Sequence, residues 1–186
     1  MNGACCPRNS SPFKGEVGRG MGAKRFFLWS LAAAAFVAFT SQSLPPVVAS
    51  HFGGDGYANA FMTRSFYTWF MLAFVVVLPL ILAYLPGATF RRPGVRISLP
   101  HGEYWLDPER REETIAFLVR HMARLGTALT LFLCDTHWLI LRANQAVPPR
   151  LESSWFIGGL VVFLLATVLW LGVFLKRFRK APRKDA

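Results

Sequence analysis

The chain has 186 residues, of which 53% are hydrophobic and only 17% are charged, and its formal net charge is +11. A soluble domain carries roughly a quarter charged residues, whereas here the charges lie in blocks between long apolar runs, as in membrane proteins. The basic residues flank those runs and do not alternate with stacking aromatics, which argues against a nucleic-acid partner. The lipid bilayer is therefore the first partner that the composition predicts.

The first part of the chain is a polar stretch followed by an apolar run. Residues 1–25 lack apolar periodicity, and we predict a disordered cytoplasmic tail there. Because Met21 directly precedes Gly-Ala-Lys-Arg and the apolar run, residues 1–20 are open to two interpretations, a native tail or a misassigned start. The run at 26–44 nearly spans a hydrocarbon core of about 30 Å as a helix. Small residues at 47–49 leave a cleaved signal peptide as the alternative.

Three further apolar segments predict three more membrane helices. Asp107, Pro108 and Glu109 supply an N-cap, a first-position proline and an acid in the first turn, so the third helix is predicted to begin at 108. Apolar residues then recur at helical spacing into the third run, which predicts one long helix whose first part lies in the cytoplasm. The prediction is an all-α membrane domain over 26–175. Its four helices cover about 26–44, 66–86, 108–141 and 155–175.

The basic residues are distributed unevenly between the segments outside these helices. Of the 21 Lys and Arg residues, 18 lie in 1–25, 87–124 and 176–186, and three lie in 45–65 and 142–154. Since Lys and Arg accumulate on the cytoplasmic side of a membrane, both termini are predicted to be cytoplasmic and the two poorly charged loops to face outward. We therefore expect a multi-pass membrane protein, with 176–186 as a basic cytoplasmic tail.

Four side chains of ligand type are predicted near the outer face. Asp135 is the only acid inside an apolar run, and a carboxylate there usually faces the bundle interior or water. His137 follows it, and His51 and Asp55 belong to the outward loop around Gly53, Gly54 and Gly56. Two His and two carboxylates suit a divalent metal if they converge, but a structural turn and an interhelical hydrogen bond are the explanation that we favour. The metal is left open, and no cofactor is predicted.

A stripe of small residues runs along the third predicted helix. Gly126, Thr130 and Cys134 recur every four residues, and His137 follows three positions later. Such a stripe lets a neighbouring helix approach closely, within one chain or between copies. The three cysteines form neither a disulfide framework nor a CxxC motif. The sequence also lacks the common nucleophile, zinc-protease and phosphate-binding motifs, so no catalytic residue is predicted.

The outward loop carries a family resemblance. Leu44 and Pro45, then His51 and Phe52, then Gly56 follow the first predicted helix. The segment resembles the bacterial domain of unknown function at the start of SdpI-type immunity proteins, whose pattern is Leu-Pro, His-Phe or His-Trp, then Gly. The match covers roughly residues 28–86. Two later segments, 99–113 and 142–151, look like a subgroup of members carrying that domain.

The resemblance implies a location in the bacterial inner membrane, self-protection against a secreted toxin and signalling to a repressor. SdpI-type proteins are longer, however, and have more membrane helices. Our first hypothesis for function is a non-enzymatic binding and sensing module, or an immunity-like one. The first alternative is a structural or assembly subunit that binds a protein partner or a second copy of itself. The second alternative is a membrane-embedded, metal-dependent enzyme or a small transporter.

Overall fold

The computed structural model describes residues 13–92 and 95–179, with side chains from residue 25 onward. Four long helices dominate it. In chain order the elements are α1 (Phe13–Thr40), a 3-10 turn (Ser41–Ser43), β1 (Val47–Phe52), β2 (Ala58–Thr63), α2 (Arg64–Phe90), α3 (Gly102–Trp105), α4 (Arg111–Ala143) and α5 (Ser153–Phe178). Within the described residues, the four long helices are each long and apolar enough to cross a membrane, with α1 doing so over Arg25–Ser43.

The packed centre of the bundle is formed by α1, α2 and α4, with α5 added at the side of α4. A cluster of buried apolar residues joins the first three helices and β1. The helix α5 packs mainly against α4, and none of the residues in its most apolar window is buried. Large apolar side chains such as Trp69, Val162 and Leu169 point outward with 67–73% of their surface exposed. That surface suits contact with lipid tails.

The loop between α1 and α2 is an antiparallel hairpin, which the prediction of an all-α fold did not include. In the register, Val48 faces Met62 and Ala49 faces Phe61, and two irregularities follow before Phe52 meets Ala58. A Gly-rich turn joins the strands, where the amide of Gly53 donates to the carbonyl oxygen of Tyr57 at 2.8 Å. The fold is therefore a helical bundle with one small sheet at its end.

The helix boundaries differ from the predicted ones in three places. The helix α1 begins at Phe13, so the later part of the stretch predicted as a disordered tail is helical, while residues 1–12 lie outside the described residues. The helix α2 extends to Phe90. Asp107 caps a turn by accepting from the amide of Glu109 at 3.1 Å, and α4 itself begins at Arg111. Since α4 has 33 residues, its length of about 50 Å exceeds the hydrocarbon core.

The bundle has two ends that differ in charge. The hairpin end carries β1, β2 and the loop 144–152, which meet where Tyr57 pairs with Arg150. The basic end carries the segment 95–110, the start of α4 and the end of α5, which meet where Arg177 forms an ion pair with Glu113. The poorly charged loops thus lie together at one end, and the strongly basic segments lie together at the other. Predicted tail residues 180–186 lie outside the described residues.

Candidate functional site at the hairpin end

His137 connects three helices. It is fully buried, its Nε2 lies 2.9 Å from Thr40 Oγ1 on α1, and its Nδ1 lies 2.8 Å from the Tyr67 hydroxyl on α2. The Tyr67 ring stacks on the imidazole and Phe36 meets it edge-on. Both ring nitrogens are therefore engaged within the protein, and the side chain stabilises the junction of α1, α2 and α4.

The hydrogen bonds of Thr40 determine which nitrogen of His137 carries the proton. The Thr40 hydroxyl donates its single hydrogen to the carbonyl oxygen of Phe36 at 2.6 Å. Because that hydrogen is used, Thr40 can only accept from His137, so the hydrogen lies on Nε2. Nδ1 then accepts from the Tyr67 hydroxyl. A neutral imidazole satisfies all three polar groups in this arrangement.

Asp135 lies on a different face of α4 and points toward α5. A Cβ added at Gly159 would overlap its Oδ2, which shows how closely the carboxylate approaches the backbone of α5. That oxygen is buried and has no hydrogen-bond partner among the described residues. Asp135 also lines an open cavity of about 610 Å³ between the ends of α4 and α5. Asp135 and His137 therefore lie in two separate environments, as their i, i+2 spacing predicts.

His51 and Asp55 are both used within the hairpin. The exposed imidazole of His51 lies 2.6 Å from Asn59 Oδ1 on the opposite strand, and Asp55 accepts from the amide of Tyr57 at 3.0 Å. The four predicted ligand-type residues thus do not converge, because His137 is enclosed by α1 and α2. In the part of the chain that the structure describes, no group of three His, Cys, Asp or Glu is placed to hold a metal ion.

The hairpin is held on the bundle by the end of α4. The amide of Ala49 donates to Asn144 Oδ1 at 2.8 Å, and Asn144 Nδ2 donates to the carbonyl oxygen of Ala49 at 2.9 Å. The side-chain amide thus replaces a neighbouring strand along β1, which also protects that edge of the sheet. On the other side of the hairpin, Arg64 donates to the carbonyl oxygens of Gln42 and Leu44.

Gly56 connects the hairpin turn to the loop before α5. Its φ is +83°, its carbonyl oxygen accepts from the amide of Leu151 at 2.8 Å, and an added Cβ would lie 2.5 Å from the carbonyl oxygen of Leu151. Only glycine fits both the backbone angle and the space. Arg150 also covers the Tyr57 ring at 5.0 Å. Of the remaining motif residues, Leu44 is buried in the core and Phe52 packs against it, while Pro45 is exposed.

The small-residue stripe lies inside the chain's own bundle. A Cβ at Gly126 would lie 3.1 Å from the Phe26 ring and from the carbonyl oxygen of Pro79. Thr130 is buried and donates to the carbonyl oxygen of Gly126, and Cys134 is a partly buried free thiol against the core. Glycine at 126 thus lets α1 and α2 approach α4.

A second buried histidine lies toward the basic end and was missed by the sequence reasoning. His121 stacks on Phe117 and Trp170. The Nε2 of His121 lies 3.0 Å from the carbonyl oxygen of Trp170. In return, the Nε1 of Trp170 donates to the carbonyl oxygen of His121 at 2.8 Å. The helical spacing of Phe117 and His121 was the available signal. The reciprocal pair fixes α5 against α4.

Two features of the hairpin end were also missed. The strands could have been found from two β-prone runs around a short Gly-rich turn. Nothing in the sequence marks Asn144, because its partner is the backbone of Ala49, 95 positions away. Comparison with known proteins found no matching family model, no significantly similar curated protein and no significantly similar solved structure. The resemblance to the SdpI-type domain therefore stays a prediction from the residues.

Proposed function

We propose that the chain is a multi-pass inner-membrane protein, with both termini in the cytoplasm, that acts as a non-enzymatic binding and sensing module. Its hairpin end faces outward and recognises a ligand there. The long helix α4 extends beyond the membrane at the basic end and carries the response to the cytoplasm. Self-protection against a secreted toxin, as the family resemblance implies, is the form of this function that we favour.

One observation carries the proposal, namely the paired hydrogen bonds between Asn144 and Ala49. They connect the outermost sheet directly to the last turn of α4. We infer that a ligand that displaces the hairpin breaks these bonds or strains the end of α4, the same helix whose first turn lies at the basic end. The connection supplies a physical route between two distant ends of the protein, which sensing requires.

The proposed orientation is supported by how the segments group in space. The two loops with only three Lys and Arg between them, 45–65 and 142–154, meet each other through the pairing of Tyr57 with Arg150. The basic segments meet each other through Arg177 and Glu113. An up-and-down arrangement of four spans requires this grouping. The positive-inside rule then supports an outward-facing hairpin end.

The function can be tested in the source bacterium with a strain that lacks the gene. We expect the deletion to change sensitivity to a secreted peptide toxin or to envelope stress, and the wild-type gene to restore it. Asn144→Leu should fail to restore it although its level in the membrane is normal, while the exposed-site variant Gln42→Leu should restore it. Unchanged sensitivity of the deletion strain across such a panel contradicts the proposal.

Orientation needs its own test. Reporter fusions placed within 45–65 and 142–154 should be active outside the cytoplasm, and fusions within 95–110 should be active inside it. An outward-facing 95–110 segment would overturn the proposed direction of signalling.

An assembly role is the second candidate, and the exposure of α5 favours it. The most apolar window of α5 contains no buried residue, so an apolar helix face is available to another membrane helix as well as to lipid. Mass measurement in mild detergent should then show a dimer or a hetero-complex, which a variant with Gly158→Leu, Leu165→Asn and Leu169→Asn on α5 disrupts. A monodisperse monomer that recovers no partner argues against this role.

A further inference from the structure

The cavity between α4 and α5 is lined by four charged side chains of both signs. They are two carboxylates and two guanidinium groups, and two tryptophans lie beside them: Asp135, Glu152, Arg142, Arg150, Trp138 and Trp155. Its volume of about 610 Å³ lies in the range of small-ligand sites. Apart from Arg150, which also contacts Tyr57, the lining does not include the residues that hold the hairpin. Binding in this cavity does not depend on the hairpin having a ligand of its own.

The four charges are not paired with one another. Among the described residues, the one ion pair within 4.0 Å is Arg177 with Glu113 at the basic end. Asp135 Oδ2 is in addition buried against Gly159 of α5 without a hydrogen-bond donor. A carboxylate in this state is costly unless a cation or donor lies beside it. A purely anionic or purely cationic ligand would match one pair of groups and be repelled by the other. A ligand with both charges matches all four.

The position of the cavity indicates that such a ligand comes from the membrane. Trp138 and Trp155 are 46% and 68% exposed and lie at the end of α4 and the start of α5. Exposed tryptophans at helix ends mark the level of lipid headgroups, so the cavity lies in the headgroup layer. Guanidinium groups bind phosphate well, and a primary ammonium offers three donors to carboxylates.

We propose that this cavity binds the headgroup of a phospholipid that carries a phosphate, a primary ammonium and no further charge, which is phosphatidylethanolamine. The phosphate contacts Arg142 and Arg150, and the ammonium donates to Asp135 and Glu152. Arg150 also covers the ring of Tyr57, so the bound headgroup lies one side chain away from the hairpin.

Native mass spectrometry of the detergent-purified chain tests the proposal. The chain is offered equal amounts of phosphatidylethanolamine, phosphatidylcholine and phosphatidylglycerol with identical acyl chains. We expect phosphatidylethanolamine to bind roughly tenfold better than the other two. A factor of ten corresponds to about one charge-assisted hydrogen bond. The quaternary ammonium of phosphatidylcholine cannot donate such a bond, and phosphatidylglycerol has no cationic group to pair with the carboxylates.

Variants show which side chains bind each part of the headgroup, and control variants show that a loss of binding is not caused by misfolding. Asp135→Asn and the exposed-site variant Glu152→Gln should reduce that preference, and Arg142→Gln should weaken binding of all three phospholipids. Glu109→Gln and Arg92→Gln, which change matched exposed residues at the basic end, should have no effect. Equal binding of the three lipids, or a preference unchanged in both acid variants, overturns the proposal.

Two further outcomes exclude related ligands. Phosphatidylglycerol binding that equals phosphatidylethanolamine binding and falls only in Arg142→Gln would show a site for anionic lipid and overturn the mixed-charge assignment. Retention of the lipid in millimolar free phosphoethanolamine supports the membrane lipid as occupant. Complete displacement by free phosphoethanolamine overturns the lipid as source in favour of a soluble molecule.

Discussion

The two ends of the bundle are held together by different kinds of interaction. At the hairpin end, backbone groups and amide or imidazole side chains meet in directional hydrogen bonds, as in Asn144 with Ala49 and Gly56 with Leu151. At the basic end, aromatic rings surround the reciprocal hydrogen bonds between His121 and Trp170. His121 stacks on Phe117 and Trp170, and Phe178 meets Phe117 edge-on. Hydrogen bonds fix distance and angle narrowly, whereas aromatic pairs tolerate several geometries. The contacts at the hairpin end therefore define one relative position of its segments. The contacts at the basic end mainly bury the surfaces of aromatic rings.

The largest expected effect is at His137, where the directional bonds are buried. His137→Leu leaves the Tyr67 hydroxyl without its partner between three helices, and we expect a loss of about 2–4 kcal/mol in unfolding free energy. Adding Tyr67→Phe should recover roughly 1 kcal/mol, because the orphaned hydroxyl is then removed. Steric trapping or detergent unfolding measures both. Thr127→Val, whose hydroxyl bonds only its own helix, is the control, and equal stability of His137→Leu and this control would contradict the assignment.

Gly56 tests whether the hairpin has one fixed position. Gly56→Ala forces an L side chain to a φ of +83° and against the carbonyl oxygen of Leu151, which we expect to cost about 2–3 kcal/mol. Gly54→Ala is the matched control, because an added Cβ there meets nothing within 4 Å. The measurement is the protection of hairpin amides from hydrogen exchange. Equal protection in both variants would show that the turn is not docked.

Asn144 tests the hydrogen bonds at the point where the hairpin joins α4. Asn144→Leu removes both hydrogen bonds to Ala49, and we expect about 1–3 kcal/mol of local destabilisation. Exchange of the Ala49 amide should accelerate more than tenfold, while the amides around His121 stay unchanged. Asn144→Asp keeps the acceptor for that amide and should show a smaller effect. Faster exchange at both ends of the bundle would indicate a global rather than a local role.

The sequence predicted the parts of the fold that depend on hydrophobic runs and missed those that depend on distant partners. Four apolar helices follow from composition and length, and the long α4 follows from the apolar positions that continue past residue 111. The hairpin was missed because only its glycines were weighed, not the β-prone runs beside them. His51, Asp55, Asp135 and His137 were grouped because they share a predicted side of the membrane. Their actual separation depends on which helix face each residue occupies, and on which neighbour covers that face.

The smallest expected effect is at the basic end, where the visible ion pair contributes little. Glu113 is 73% exposed and lies 2.9 Å from Arg177. Glu113→Gln should therefore lower the unfolding free energy by less than about 0.5 kcal/mol at low salt, and this difference should disappear at high salt. Arg177→Gln should cost more, because its guanidinium also covers the Phe117 ring at 4.3 Å, a contact worth about 0.5–1 kcal/mol. Thermal unfolding at low and high salt separates the two contributions. If both variants had the same salt-dependent effect, charge rather than ring contact would hold this end together, and the contrast between the two ends would fail.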